Sequence, residues 1–149
     1  MKTGELCIRD VVVVNGDTGI VEIAGLMREY HVGDVVVVKE KDGNRQPVGI
    51  VTDRDIVLEI VAREVPLGSC TAIDIMSGNL VTANENDDVW QVLEVMREKG
   101  IRRAPVVDNE NILVGIISTD DIIDFLAEEM KQVVSVARYQ PIREQQNRP

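Results

Sequence analysis

The 149-residue sequence predicts a mixed α/β (α+β) fold made of two similar units that pack together with pseudo-two-fold symmetry. MREYHVGDVVVV at residues 27–38 aligns with MREKGIRRAPVV at residues 96–107, an offset of 96 − 27 = 69. GIVTDRDI at residues 49–56 and GIISTDDI at residues 115–122 share the order glycine, two apolar residues, hydroxyl, two residues, aspartate, isoleucine. Because each half is too small to bury both faces of a sheet, the halves should share a core.

The repeats are placed at residues 6–66 and 70–130, each with the order strand, helix, strand, strand, helix. The second repeat shows the pattern more clearly. Its first helix is predicted by Val89, Val92, Leu93 and Met96 at helical spacing, with Gly100 at its C-terminal end.

Two strands and a second helix complete each repeat. RAPVVD and ILVGIIS are the predicted strands of the second repeat, and a polar turn at residues 108–111 separates them. The final helix starts near Asp120. In the first repeat the corresponding turn is Asp42-Gly43-Asn44.

Residues 131–149 form a C-terminal extension. Three valines could continue the last helix to near Tyr139, Pro141 should interrupt it, and the end rich in Gln and Arg should be frayed. The extension either makes a dimer contact or covers its own module.

Composition excludes several classes of function. The net charge of −10 disfavours nucleic acid and an anionic membrane as partners. There is no apolar signal segment, and no apolar run approaches a membrane span. Cys7, Cys70 and the single His31 form no disulfide framework and no metal site. No nucleophile–His–acid set indicates an enzyme. We therefore expect a cytoplasmic, non-catalytic protein.

From about Cys7 to Met130 the chain resembles the CBS domain pair, or Bateman module. The resemblance rests on the two Gly-to-Asp motifs, the RRAPVVD strand and the order of elements. The helical tail is similar to that of small stand-alone prokaryotic members. The resemblance implies a cleft between the repeats for an adenosyl ligand: AMP, ADP, ATP, NAD or S-adenosylmethionine. It also implies a regulatory homodimer that acts on an effector protein. A dimerisation or interaction scaffold with vestigial clefts is the alternative.

The motif itself has two interpretations that do not exclude each other. Thr52 followed by Asp55 fits the capping box that starts a helix. A carboxylate at that place can also accept hydrogen bonds from ribose hydroxyls, beside backbone N–H groups suited to phosphate. The resemblance implies that the two acids, Asp55 and Asp121, bind ribose and that Thr52 and Ser118 accompany them.

The resemblance places each motif opposite the other repeat. The main nucleotide site is expected at Thr52, Arg54, Asp55, Leu80, Val81, Thr82, Arg102, Arg103, Ala104 and Pro105. The second site is expected at Val12, Val13, His31, Val32, Gly33, Ser118 and Asp121.

The second site departs from the family pattern. Gly33 and Asp34 stand where the first site has two arginines, and the Asp34 carboxylate would repel a polyphosphate. The Asp121 site should therefore be weaker, empty, or used by a less anionic ligand. His31 is expected to be a surface cation more than a ligand contact. Arg54 either reaches phosphate or offsets Asp53.

Overall fold

The computed structural model describes residues 1–148 and contains one three-stranded sheet for each repeat. The strands, in chain order, are β1 (Val13–Asn15), β2 (Asp34–Lys41) and β3 (Asn44–Thr52) of the first sheet, and β4 (Ala83–Asn84), β5 (Arg103–Val107) and β6 (Leu113–Ser118) of the second. The helices are α1 (Thr3–Leu6), α2 (Ile20–Tyr30), α3 (Asp53–Ile56, continued by a π-helical turn at Val57–Val61), α4 (Ala72–Ile75), α5 (Val89–Lys99) and α6 (Thr119–Asn147).

Both sheets have the same topology, which confirms the predicted order of elements. The first strand pairs in parallel with the second, which pairs antiparallel with the third. In the first repeat Asp42 and Gly43 both have positive φ, as a tight hairpin turn requires. Gly100 ends α5 in the left-handed conformation, as predicted, and His31 ends α2 in the same way.

Alternation along the second strand of each sheet builds three layers of apolar packing. Val35 and Val37 point to the helices of the first repeat, whereas Val36 and Val38 point to the second sheet. Leu113 and Ile116 of the second repeat pack against this inner face. The two sheets therefore meet through one apolar layer.

The segment before the first strand of each sheet packs on the other repeat, which the sequence did not predict. The amides of Thr3 and Gly4 donate to carbonyls of residues 87 and 85, at 2.8 and 2.9 Å. The amides of Ala72 and Ile73 donate to carbonyls of residues 18 and 16, at 2.9 and 3.0 Å. Helices α1 and α4 thus fasten the two repeats to each other in both directions.

Helix α6 continues through Pro141 to Asn147, so the predicted interruption at this proline is wrong. Proline removes one backbone hydrogen bond and crowds the preceding turn, which bends a helix without always ending it. Within residues 1–148, no helix combines the length and the apolar character that crossing a bilayer would need.

Candidate functional site

Both hydroxyl–acid motifs form reciprocal capping boxes. The Thr52 amide donates to Asp55 Oδ2 at 2.8 Å, and the Asp55 amide donates to Thr52 Oγ1 at 3.1 Å. The Ser118 amide donates to Asp121 Oδ2 at 2.7 Å, and the Asp121 amide donates to Ser118 Oγ at 3.2 Å. The capping interpretation is therefore confirmed for both motifs.

Capping leaves part of each acid available. The backbone and hydroxyl hydrogen bonds use Oδ2 of Asp55 and of Asp121, and both aspartates are only half-buried. A carboxylate has two oxygens and about four lone-pair sites, so Oδ1 keeps its capacity to accept hydrogen bonds from a ligand. Helix capping and ligand binding are compatible at these positions.

A cavity of about 220 Å³ opens beside Asp121 between the two repeats. Its walls come from both halves of the chain: Ile8, Asp10, Val11, Val12, Val32, Asp34, Arg103, Ile116, Ser118, Asp120 and Asp121. Four residues expected at the second site thus line one cavity: Val12, Val32, Ser118 and Asp121. The lining combines apolar side chains with ionisable groups, as in a site for an amphipathic ligand.

The guanidinium of Arg103 forms an ion pair with the carboxylate of Asp34 at this cavity. The two residues are 69 positions apart, so they occupy equivalent positions in the two repeats. Burial raises the pKa of Asp34, Arg103 counteracts this rise, and Asp53 and Asp121 add to it. The ion pair thus holds a half-buried carboxylate among other acids.

Arg102 points to its own repeat. Its side chain pairs with Asp120 at 3.2 Å, and its carbonyl accepts a hydrogen bond from the Thr119 amide at 2.8 Å. The cause is the strand register, which pairs Arg103 with Ser118. The two arginines expected opposite Asp55 therefore lie beside Asp34 and Asp120 in this structure, and their assignment to the Asp55 site stays a prediction.

Because side chains alternate along β5, Ala104 faces away from the site at which it was expected. Its side chain is buried in the core of the second repeat, facing α5 rather than the sheet of the first repeat. With Val81 and Thr82 it lines a separate cavity of about 230 Å³ against α5. Pro105, on the opposite side of β5, pairs in register with Ile116, and Leu80 packs in the layer between the sheets.

The remaining expected residues, Gly33, Val13, His31 and Arg54, do not line the Asp121 cavity. The carbonyl of Gly33 accepts a hydrogen bond from the Asp53 amide at 2.9 Å, so Gly33 supports the start of α3 and does not line the Asp121 cavity. Val13 packs between the sheets, and His31 is exposed at the end of α2. Arg54 is exposed, and its amide donates to Asp53 Oδ1 at 2.8 Å.

The N-terminal segment contributes to this site, which the sequence did not predict. Ile8, Asp10 and Val11 line the cavity, although Ile8 and Asp10 lie before the first predicted strand. The signal in the sequence is the pair of apolar residues Leu6 and Cys7 before the first strand. They pack in the core of the second repeat and so bring residues 8–11 to the cavity. Residues 1–148 contain no group of three or more His, Cys, Asp and Glu placed to hold a metal ion.

Known proteins share this arrangement. The CBS domain family model matches residues 4–62 and 72–128. An uncharacterized protein of Methanopyrus kandleri is 38% identical over 139 residues, which cover 89% of this chain and 69% of that protein.

Solved structures show the same fold. The CBS domain pair of a protein solved with 5′-methylthioadenosine and S-adenosyl-L-methionine superposes with a TM-score of 0.76 at 25% identity, covering 87% of this chain and 98% of that one. A CBS domain protein of Pyrobaculum aerophilum complexed with AMP gives a TM-score of 0.73 at 31% identity, covering 81% and 89% of the two chains. The duplicated motif, the paired sheets and the matches over both repeats show that this chain belongs to the CBS domain family.

Proposed function

We propose that this protein is a non-catalytic regulatory module that binds an adenosyl ligand between its two CBS repeats. The cavity beside Asp121 carries the proposal, because both repeats line it and it combines apolar side chains with a ribose-type acid at the start of a long helix. The AMP complex and the methylthioadenosine and S-adenosylmethionine complex of similar CBS proteins support the ligand class.

The charges of the cavity favour a weakly anionic or cationic adenosyl ligand there. Asp10, Asp34, Asp120 and Asp121 line it together with one guanidinium, that of Arg103. Like charges near a phosphate lower its affinity, whereas a cationic sulfonium gains from them. A phosphate could recruit Arg103 only in competition with Asp34.

The site at Thr52 and Asp55 is proposed for the more anionic ligands, AMP, ADP, ATP or NAD. Its ribose acid has the same capping geometry as Asp121. Arg102 and Arg103 would supply the phosphate contacts after leaving Asp120 and Asp34. Its expected wall is the one that the family resemblance implies, apart from Ala104, whose side chain is buried in the core of the second repeat. The other members are Arg54, Leu80, Val81, Thr82 and Pro105.

Isothermal titration of the full chain tests both sites. AMP, ADP, ATP, NAD and S-adenosylmethionine are titrated against wild type, Asp55→Ala and Asp121→Ala. We expect Asp55→Ala to abolish binding of the anionic nucleotides and Asp121→Ala to abolish binding of S-adenosylmethionine. Where binding occurs, a ligand at 100 times its dissociation constant should add about 2.7 kcal/mol to the free energy of unfolding.

Asp124→Ala serves as the control, because Asp124 is an exposed aspartate of the same helix one turn beyond the motif. It should bind as wild type does. Absence of binding for every ligand, or wild-type binding by both motif variants, would contradict the proposal. Absence of binding would instead favour a dimerisation or interaction scaffold, in which the ion pair of Arg103 with Asp34 joins the two repeats.

The proposal includes a homodimer that transmits ligand occupancy to an effector protein. It also includes a cytoplasmic location, since Cys7 and Cys70 are both free thiols. The ligand released from the purified, gently denatured protein can be identified by mass spectrometry, which would name the adenylate directly.

A further inference from the structure

The C-terminal part of α6 leaves its apolar side chains without a partner in the chain. Ile122 is the buried residue of this helix, and from Lys131 to Arg148 every residue except Ser135 is exposed. Met130, Val133 and Val134 expose 68%, 71% and 44% of their surface. The extension therefore does not cover its own module.

A helical segment in this situation depends on an external contact. Helices of this length obtain most of their stability from packing an apolar face and little from intrinsic propensity. A shallow groove runs along one side of α6, lined at helical spacing by Ala127, Met130, Lys131, Val134, Arg138 and Ile142. Such a row of residues fits a second helix.

The distribution of charges on α6 indicates which helix packs in this groove. Asp124, Glu128 and Glu129 precede its midpoint at residue 133, and Arg138 and Arg143 follow it. The exceptions are Glu144 and Lys131, which pairs with Glu128 of its own helix at 3.3 Å across exposed side chains. Glu128 and Arg138 lie five residues before and five residues after Val133. Both are beyond the terminal turns on which the helix dipole acts, so the dipole alone does not account for them.

We propose that this groove is the interface between two copies of the chain, with their α6 helices antiparallel and crossing at the level of the helix midpoint, residue 133. Antiparallel pairing places the acidic half of each helix against the basic half of its partner. Glu128 of one copy then lies opposite Arg138 of the other, twice in each dimer. Parallel pairing would instead bring like charges together.

Sedimentation velocity of the full chain without ligand measures the dimer, and an aspartate substitution tests the groove. Val134→Asp should weaken dimerisation by at least roughly tenfold, the equivalent of about 1.4 kcal/mol. Val136→Asp is the matched control, because Val136 lies two residues on, on the opposite side of the helix, and is 71% exposed. It should dimerise as wild type does, and circular dichroism should show equal helix content in both variants.

A charge exchange tests the antiparallel arrangement. Glu128→Arg and Arg138→Glu should each weaken the dimer by roughly tenfold, and the double variant should restore it. A monomeric wild type at its highest soluble concentration, equal effects of Val134→Asp and Val136→Asp, or a double variant weaker than either single one would overturn the proposal. Because this readout needs no ligand, titrating S-adenosylmethionine into Val134→Asp tests the proposed function separately.

Discussion

At the scale of single residues, the pair formed by Asp34 and Arg103 separates the two repeats most clearly. The two positions correspond in the duplication, and each begins the second strand of its sheet. Asp34 pairs in register with Thr52, and Arg103 pairs with Ser118, so the ion pair lies between the two hydroxyl–acid motifs. Because Asp34 and Arg103 carry opposite charges, the starts of β2 and β5 can pack close together without electrostatic repulsion.

Arg103→Met should lower the free energy of unfolding by about 1–2 kcal/mol at neutral pH. Because burial raises the pKa of Asp34 above its unfolded value, the native chain binds that proton more tightly, and the ionised carboxylate costs stability. This cost disappears as pH falls through the folded pKa of Asp34. Removing Arg103 makes the cost larger, because the guanidinium counteracts the effect of burial. The difference between variant and wild type should therefore be complete at neutral pH and shrink on acidification.

Urea unfolding at neutral pH and near pH 4 measures this difference. Arg102→Met is the matched control, since its side chain is 73% exposed and its ion pair with Asp120 is open to solvent. The control should change stability by less than about 0.5 kcal/mol at either pH. A pH-independent loss in Arg103→Met would show that its packing matters and its charge does not.

At the scale of elements, the glycine that opens each motif has a packing role. A Cβ at Gly115 would lie 2.6 Å from Cys7 Sγ and 2.8 Å from the Ile8 carbonyl oxygen. A Cβ at Gly49 would lie 2.9 Å from Met76 Cγ. The segments that precede β1 and β4 thus cross the third strand of the opposite sheet at its glycine. The motif glycine is explained by this crossing, whereas its hydroxyl and acid are explained by the helix start.

Gly115→Ala should destabilise the protein by about 1–3 kcal/mol, because the methyl group displaces the backbone of residue 8. Gly25→Ala is the contrasting control in a helix interior: a Cβ there meets nothing within 4 Å. It should stabilise the protein by about 0.5–1 kcal/mol. Thermal unfolding of both variants measures the effects, and stabilisation by Gly115→Ala would contradict the crossing.

At the scale of the whole molecule, the two repeats are joined through exchanged segments. Thr3 is fully buried, and Leu6 and Cys7 pack in the core of the second repeat. Ile8 and Ile116 form an antiparallel bridge. Residues at the start of the first repeat therefore belong to the core of the second. The boundaries 6–66 and 70–130 describe the duplication in the sequence and do not separate the two cores.

Deleting residues 1–8 should destabilise the second repeat by at least about 2 kcal/mol, because it removes the side chain of Leu6 from that core. The amides of the second repeat should then lose hydrogen-exchange protection more than those of the first. Deleting residues 144–149 is the control and should leave stability unchanged, since residues 144–148 are exposed. Equal loss of protection in both repeats would instead indicate fully coupled unfolding.

Much of this molecule follows from the sequence alone. Apolar periodicity, Gly100 and the Asp42-Gly43 turn are local properties, so the order of elements could be predicted from them. The duplicated hydroxyl–acid motif gave both helix starts and both ribose-acid candidates, since its hydrogen bonds join residues only three apart.

Tertiary structure decided what these residues face. Strand register placed Arg102 beside Asp120 and Arg103 beside Ser118, and alternation turned Ala104 into the core. Contacts between residues 69 positions apart, and the crossing of residue 8 over Gly115, depend on how two sheets dock. Docking depends on the packing of whole apolar faces, which no short stretch of sequence contains.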